Sequence, residues 1–91
     1  MTILEEAAML VGGDRQDDYG HPSVIYARVG RVWGALLGIE DIPAATVCLM
    51  LAGMKVARWS IKPKRDSLVD AAGYCLTVKM CEDVAAKACK L

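Results

Sequence analysis

The chain has 91 residues, 55% of them hydrophobic and 24% charged, with 11 Lys and Arg against 11 Asp and Glu. This length supports a single domain over residues 1–91 and excludes a two-domain enzyme, while the composition excludes a disordered chain. The charge balance gives no overall field for nucleic acid or membrane, so any charge-based recognition must be local.

The elements read in chain order as an all-α helical bundle of four helices. Thr2 with Glu5 three positions later is a capping-box signature, and the apolar residues that follow predict a first helix over about 2–11, stopped by Gly12 and Gly13. The stretch GGDRQDDYGHP, residues 12–22, has no hydrophobic period and carries turn residues, so it is expected to be a loop. Ile25, Val29, Val32, Trp33, Leu36 and Leu37 recur at three and four, predicting a helix over 23–37 that ends at Gly38 in the left-handed region. Gly30, Gly34 and Gly38 leave a strip along it where another helix of this chain or of a second subunit could approach. Asp41 as N-cap and Pro43 in the first turn open a third helix over 42–59, whose apolar run IPAATVCLMLAGM predicts a buried central helix. Pro63 breaks the pattern within the basic segment SIKPKR, and Asp66 is placed to cap a last helix over 67–88. Its expected buried face is Val69, Ala72, Gly73, Leu76, Met80 and Val84.

The longest run free of charged or strongly polar residues, Ile42 to Met54, is shorter than the ~20 residues of a membrane span. With no secretory pattern and no CxxC, the cysteines Cys48, Cys75, Cys81 and Cys89 read as reduced thiols, and the chain as cytoplasmic. The surplus of apolar residues for so small a domain predicts a homo-oligomer in which helix 23–37 or helix 67–88 crosses a symmetry axis.

Two constellations could carry chemistry. Lys55 and Arg58, three apart, form a basic face where the third helix leaves the core, and Asp66 and Asp70, four apart, form an acidic face at the start of the last. Two carboxylates on one side of a helix can share Mg²⁺, completed by water and nucleotide phosphates. The alternative is structural: Asp66 caps its helix and Asp70 pairs with Lys55 or Arg58. The loop adds Arg15, as a phosphate-binding cation, and Tyr19, as a platform for a base.

Taken in order, Asp18-Tyr19-Gly20, Lys55-x-x-Arg58 and Asp66-x-x-x-Asp70-x-x-x-Tyr74 resemble a pattern of small phage-encoded families and nucleotide-modification-associated domains, similar to the all-α MazG-like nucleoside triphosphate pyrophosphohydrolases. The resemblance implies a helical assembly in which four carboxylates hold Mg²⁺ against a triphosphate, Asp66 and Asp70 being the second acidic pair. The first pair has no counterpart: helix 23–37 offers Arg28 and Arg31, leaving only Asp14, Asp17 and Asp18 or Glu5 and Glu6 to substitute. The expectation is therefore a phage-type protein of the host cytoplasm that binds or sequesters a phosphate-bearing nucleotide through Arg15, Tyr19, Lys55 and Arg58. Mg²⁺-dependent pyrophosphohydrolysis is the alternative, and a helical module acting on a host protein is the third.

Overall fold

The structure, a computed structural model, describes residues 1–89, with the side chains of residues 14, 15, 17, 88 and 89 outside the description. All of its regular elements are helices: α1 (Ile3–Gly12), α2 (Asp14–Tyr19), α3 (Pro22–Leu37), α4 (Ala44–Ile61) and α5 (Arg65–Cys89). The four long helices coincide with the four expected from the sequence. The segment expected to be a loop instead holds the short helix α2, which Gly20 closes at φ 75°, its N–H donating to the Gln16 carbonyl at 2.8 Å. Six polar residues have no hydrophobic period to signal a helix; docking between α1 and α3 supplies what propensity does not.

Local signals explain most of the ends. The Thr2 hydroxyl accepts from the Glu5 N–H and the Glu5 carboxylate from the Thr2 N–H, each at 3.1 Å. Gly38 adopts φ 70°, ψ 31° after α3, as the sequence predicts. Asp41 is not a cap, because α4 starts one residue after Pro43, and Asp66 lies inside the first turn of α5 rather than before it. There its negative charge complements the helix dipole instead of bonding a terminal N–H.

α4 and α5 form an antiparallel pair, since Cys48 near the start of α4 meets Cys81 near the end of α5, while Lys55 meets Asp70. The seam is made of small side chains: Val47, Cys48 and Ala52 from α4, and Val69, Gly73, Thr77 and Cys81, every fourth residue, from α5. The Thr77 hydroxyl is satisfied by the Gly73 carbonyl at 2.8 Å, so it enters the core without an open polar group. α1 lies parallel to α5, tied by Arg65 to Glu6 and to the Met1 carbonyl at one end and by Val11 against Gly73 at the other.

The glycine strip of α3 faces α4 at Gly30, where a Cβ would stand 3.4 Å from Val47 Cγ2, and is approached more closely by the connection between the two helices. The α3–α4 connection lies on it: a Cβ on Gly30 would stand 1.8 Å from the Ile42 carbonyl oxygen, and one on Gly34 2.6 Å from that of Glu40. The Ile42 N–H donates to the Gly30 carbonyl at 3.2 Å and the Ile39 N–H to that of Gly34 at 2.9 Å.

Burial departs from expectation in one systematic way. α4 is not enclosed: Val47, Cys48 and Ala52 are its buried residues, and Leu49, Met50 and Val56 face outward. Val32, Leu36 and Leu37 on α3 and Leu76 and Val84 on α5 are likewise exposed. A helix apolar on every side carries no directional signal, so sequence periodicity does not say which face meets its own chain. Helix α4, continuing to Ile61, has 18 residues and a mean hydropathy of 1.3, long and apolar enough by length and composition to cross a membrane, contrary to the sequence expectation. In this fold its inner face packs on α5 and its Lys55 is paired.

Candidate functional site

A cavity of about 370 Å³ opens between α1, α2, α3 and α5. Its position follows from the chain's turns. Gly20 at positive φ redirects the chain from α2 into His21 and Pro22, and His21 caps α3 by accepting the Ser23 N–H on Nδ1 at 3.2 Å. This sharp corner leaves Tyr19 over one side of the cavity and sets Tyr26, one turn into α3, on another. On α5, Asp70, Tyr74 and Thr77 fall on one face at spacings of four and three and line a third side. Ala7 and Val69, both buried, supply apolar wall, and Gln16 of α2 adds an amide.

The three tyrosines of the chain thus line one cavity. Tyr26 and Tyr74 meet edge to face, centroids 6.3 Å apart and planes at 74°, an arrangement that fixes both rings against each other. Tyr19 stands clear, 66% exposed, with a ring face free to cover a guest. Asp70 is the charged side chain among the lining residues, and its Oδ2 lies 2.9 Å from Lys55 Nζ. The Asp70 side chain is 26% exposed and that of Lys55 17%, so the pair is partly desolvated and the wall offers a compensated acceptor instead of a bare charge.

The residues singled out from the sequence divide accordingly. Tyr19 and Asp70 line the cavity, and Lys55 stands behind Asp70 as its ion-pair partner, the structural pairing weighed from the spacing. Arg58 and Asp66 are exposed and do not line it. The side chain of Arg15 lies outside the described residues, as does that of Cys89. Among the described residues no group of three or more His, Cys, Asp or Glu side chains is placed to hold a metal ion. Gln16, Tyr26, Tyr74 and Thr77 were missed as lining residues except where Tyr74 closed a motif; the available signal was the scarcity of tyrosine, with one in each of three of the four helices that surround the cavity.

The buried thiols belong to the scaffold. Burial, reinforced by the neighbouring Cys81, pushes the Cys48 thiol up to about 12, and burial also raises Cys81. Both are held as thiols at neutral pH and are poor nucleophiles.

Proteins similar to this chain come from phages. The Gene 55 protein of Mycobacterium phage L5 is 36% identical over 76 residues, which cover 81% of this chain and 48% of that protein. The Gene 55 protein of Mycobacterium phage D29 is 37% identical over 78 residues, covering 80% and 48%. The chain therefore spans about half the length of these curated relatives. No solved structure matches it. The family match runs over residues 2–82 and takes in every residue that lines the cavity, so this chain belongs to the family described as Domain of unknown function (DUF6378).

Proposed function

We propose that the chain binds a nucleotide, its base held in the tyrosine-lined cavity, and sequesters it without turnover. The observation that carries this reading is the convergence of Tyr19, Tyr26 and Tyr74 with Asp70 and Gln16 on one cavity of about 370 Å³, a size suited to a small planar ligand. Tyrosine rings supply stacking surface that every base accepts. Asp70 accepts from an exocyclic amine, and the Gln16 amide both donates and accepts. Because Lys55 already compensates Asp70, a base enters without facing an unpaired carboxylate. In this proposal Lys55 stays on Asp70, Arg15 of α2 is the cation for the phosphate, and Arg58 is outside the first contacts. The similarity to phage proteins supports a phage-encoded protein acting in the host cytoplasm. The MazG-like likeness rests on the short motifs around Tyr19, Lys55 and Asp70, and hydrolysis in that manner would require Mg²⁺ at Asp66 and Asp70 with further carboxylates.

The test is a thermal-shift panel of nucleotides and cyclic dinucleotides with and without Mg²⁺, followed by calorimetry and product analysis for each hit. A saturable shift without product is expected. Tyr19→Ala, at an exposed ring whose loss spares the core, should weaken binding by ~1–3 kcal/mol, the scale of one base–aromatic stack. Absence of any nucleotide hit, or normal binding by Tyr19→Ala, refutes the reading; product appearing only with Mg²⁺ replaces it by the pyrophosphohydrolase.

A further inference from the structure

We infer that the outward face of α4 is the docking surface for a second copy of this chain. Three rows at seven-residue spacing make up that face: Thr46, Gly53 and Ser60 in the middle, Leu49 and Val56 on one flank, Met50 and Ala57 on the other. All seven residues are exposed and none is charged. The middle row is small and the flanks are mostly bulky, so the face is a shallow groove between two ridges. A two-fold operation brings the ridge of one copy into the groove of the other, which is how a self-complementary helix pair closes.

Two independent observations support occupation by another copy. The first is area. The chain exposes 6323 Å², whereas a folded monomer of 9.8 kDa is expected to expose about 5,200 Å². The excess of about 1,100 Å² exceeds the ~800 Å² that each partner buries in a standard interface. The radius of gyration, 13.8 Å, is similarly larger than the ~12.2 Å of a compact chain of this length.

The second is Gly53. Glycine inside a helix is destabilising relative to alanine, and at Gly30 and Gly34 the chain's own backbone requires it. At Gly53 a Cβ would meet nothing within 4 Å, so no group of the same chain explains its absence. Close approach of a second helix does. Ser60 fits such burial as well, because its hydroxyl donates to the Ala57 carbonyl of its own helix at 2.6 Å and is thereby satisfied.

The experiment is light scattering and sedimentation velocity on the full chain at tens of micromolar. A dimer of twice 9.8 kDa is expected. Ala57→Glu should give a monomer with unchanged helical circular dichroism, while Leu4→Glu should stay dimeric, since Leu4 is 70% exposed on α1, which does not contact α4 among the described residues. Gly53→Ala provides a check that needs no loss of fold: it should raise the melting temperature of the Ala57→Glu monomer yet weaken association of the otherwise native chain at least tenfold. A monomeric native chain overturns the inference, as does a dimer that survives Ala57→Glu or dissociates only with Leu4→Glu. A native monomer that instead pellets with phosphatidylglycerol vesicles overturns it in favour of a bilayer.

Discussion

Removing the charge of Asp70 tests the pairing that joins the cavity wall to the α4–α5 seam. Lys55 Nζ and Asp70 Oδ2 are 2.9 Å apart, which at an effective dielectric of ~20 is a gross attraction of about 6 kcal/mol. Most of it is offset by desolvating two charges on side chains that are left 17% and 26% exposed, and by immobilising a lysine, about 1.5–2 kcal/mol by itself. A net coupling of about 1–2 kcal/mol remains, above the 0.2–1 kcal/mol of exposed pairs. Asp70→Asn should cost more than this coupling, about 2–3 kcal/mol, because it also leaves the Lys55 ammonium partly buried and unpaired. For a chain of this size that corresponds to a melting point lower by roughly 10–20 °C. The assay is a double-mutant cycle of Asp70→Asn, Lys55→Met and the double variant, by urea unfolding at one protein concentration so that association contributes equally. The double variant should recover part of the loss. An unchanged melting point in Asp70→Asn, or a coupling below ~0.5 kcal/mol, would show the pair to be solvated and the reasoning wrong.

Gly30→Ala should destabilise the fold by about 3 kcal/mol, since its Cβ would collide with the backbone carbonyl of Ile42, which no rotamer change can relieve; a denaturation midpoint near the native value would refute the packing of the α3–α4 connection. In the native chain Cys75 should react with a maleimide at once and Cys48 and Cys81 only as fast as the fold opens, read by mass mapping. The folded Cys48 thiol keeps its proton up to about 12, so the stability it confers is complete below pH 9 and declines as pH rises from 9 towards 12; in Cys48→Ala the denaturation midpoint should fall less over that range. Thr2→Ala should cost ~1 kcal/mol. Hydrogen bonds from Thr2 hold the Glu5 carboxyl below the usual range, so the cap's contribution is present above pH 4.5 and is lost as pH falls through the folded value. Thermal melts of Glu5→Ala between pH 3 and 6 should be correspondingly flatter, whereas Thr2→Ala, which keeps the backbone N–H that bonds the carboxylate, should retain most of the slope.

Much of the architecture was legible in the chain because it is written in local chemistry. The Thr2–Glu5 box, Gly38 after α3 and Pro63 between α4 and α5 act within a few residues of where they stand, so reading them needs no knowledge of the rest. α2 was not legible, because its stability comes from docking between neighbours instead of from its own polar sequence. The site was half legible: the spacing of Lys55, Asp66 and Asp70 implied a pairing, and tertiary packing selected Asp70 for it while leaving Asp66 in solvent. The gathering of Tyr19, Tyr26 and Tyr74 was signalled by no more than the scarcity of tyrosine, since it depends on how α2, α3 and α5 converge. The same holds for the two glycine positions. Sequence identifies Gly30 and Gly53 alike as helix-interior glycines, but only the fold shows the Ile42 carbonyl against one and open space beside the other. Helical periodicity is a property of one segment, whereas burial is a property of pairs of segments. For a helix as uniformly apolar as α4, the tertiary structure therefore decides which part its own chain covers.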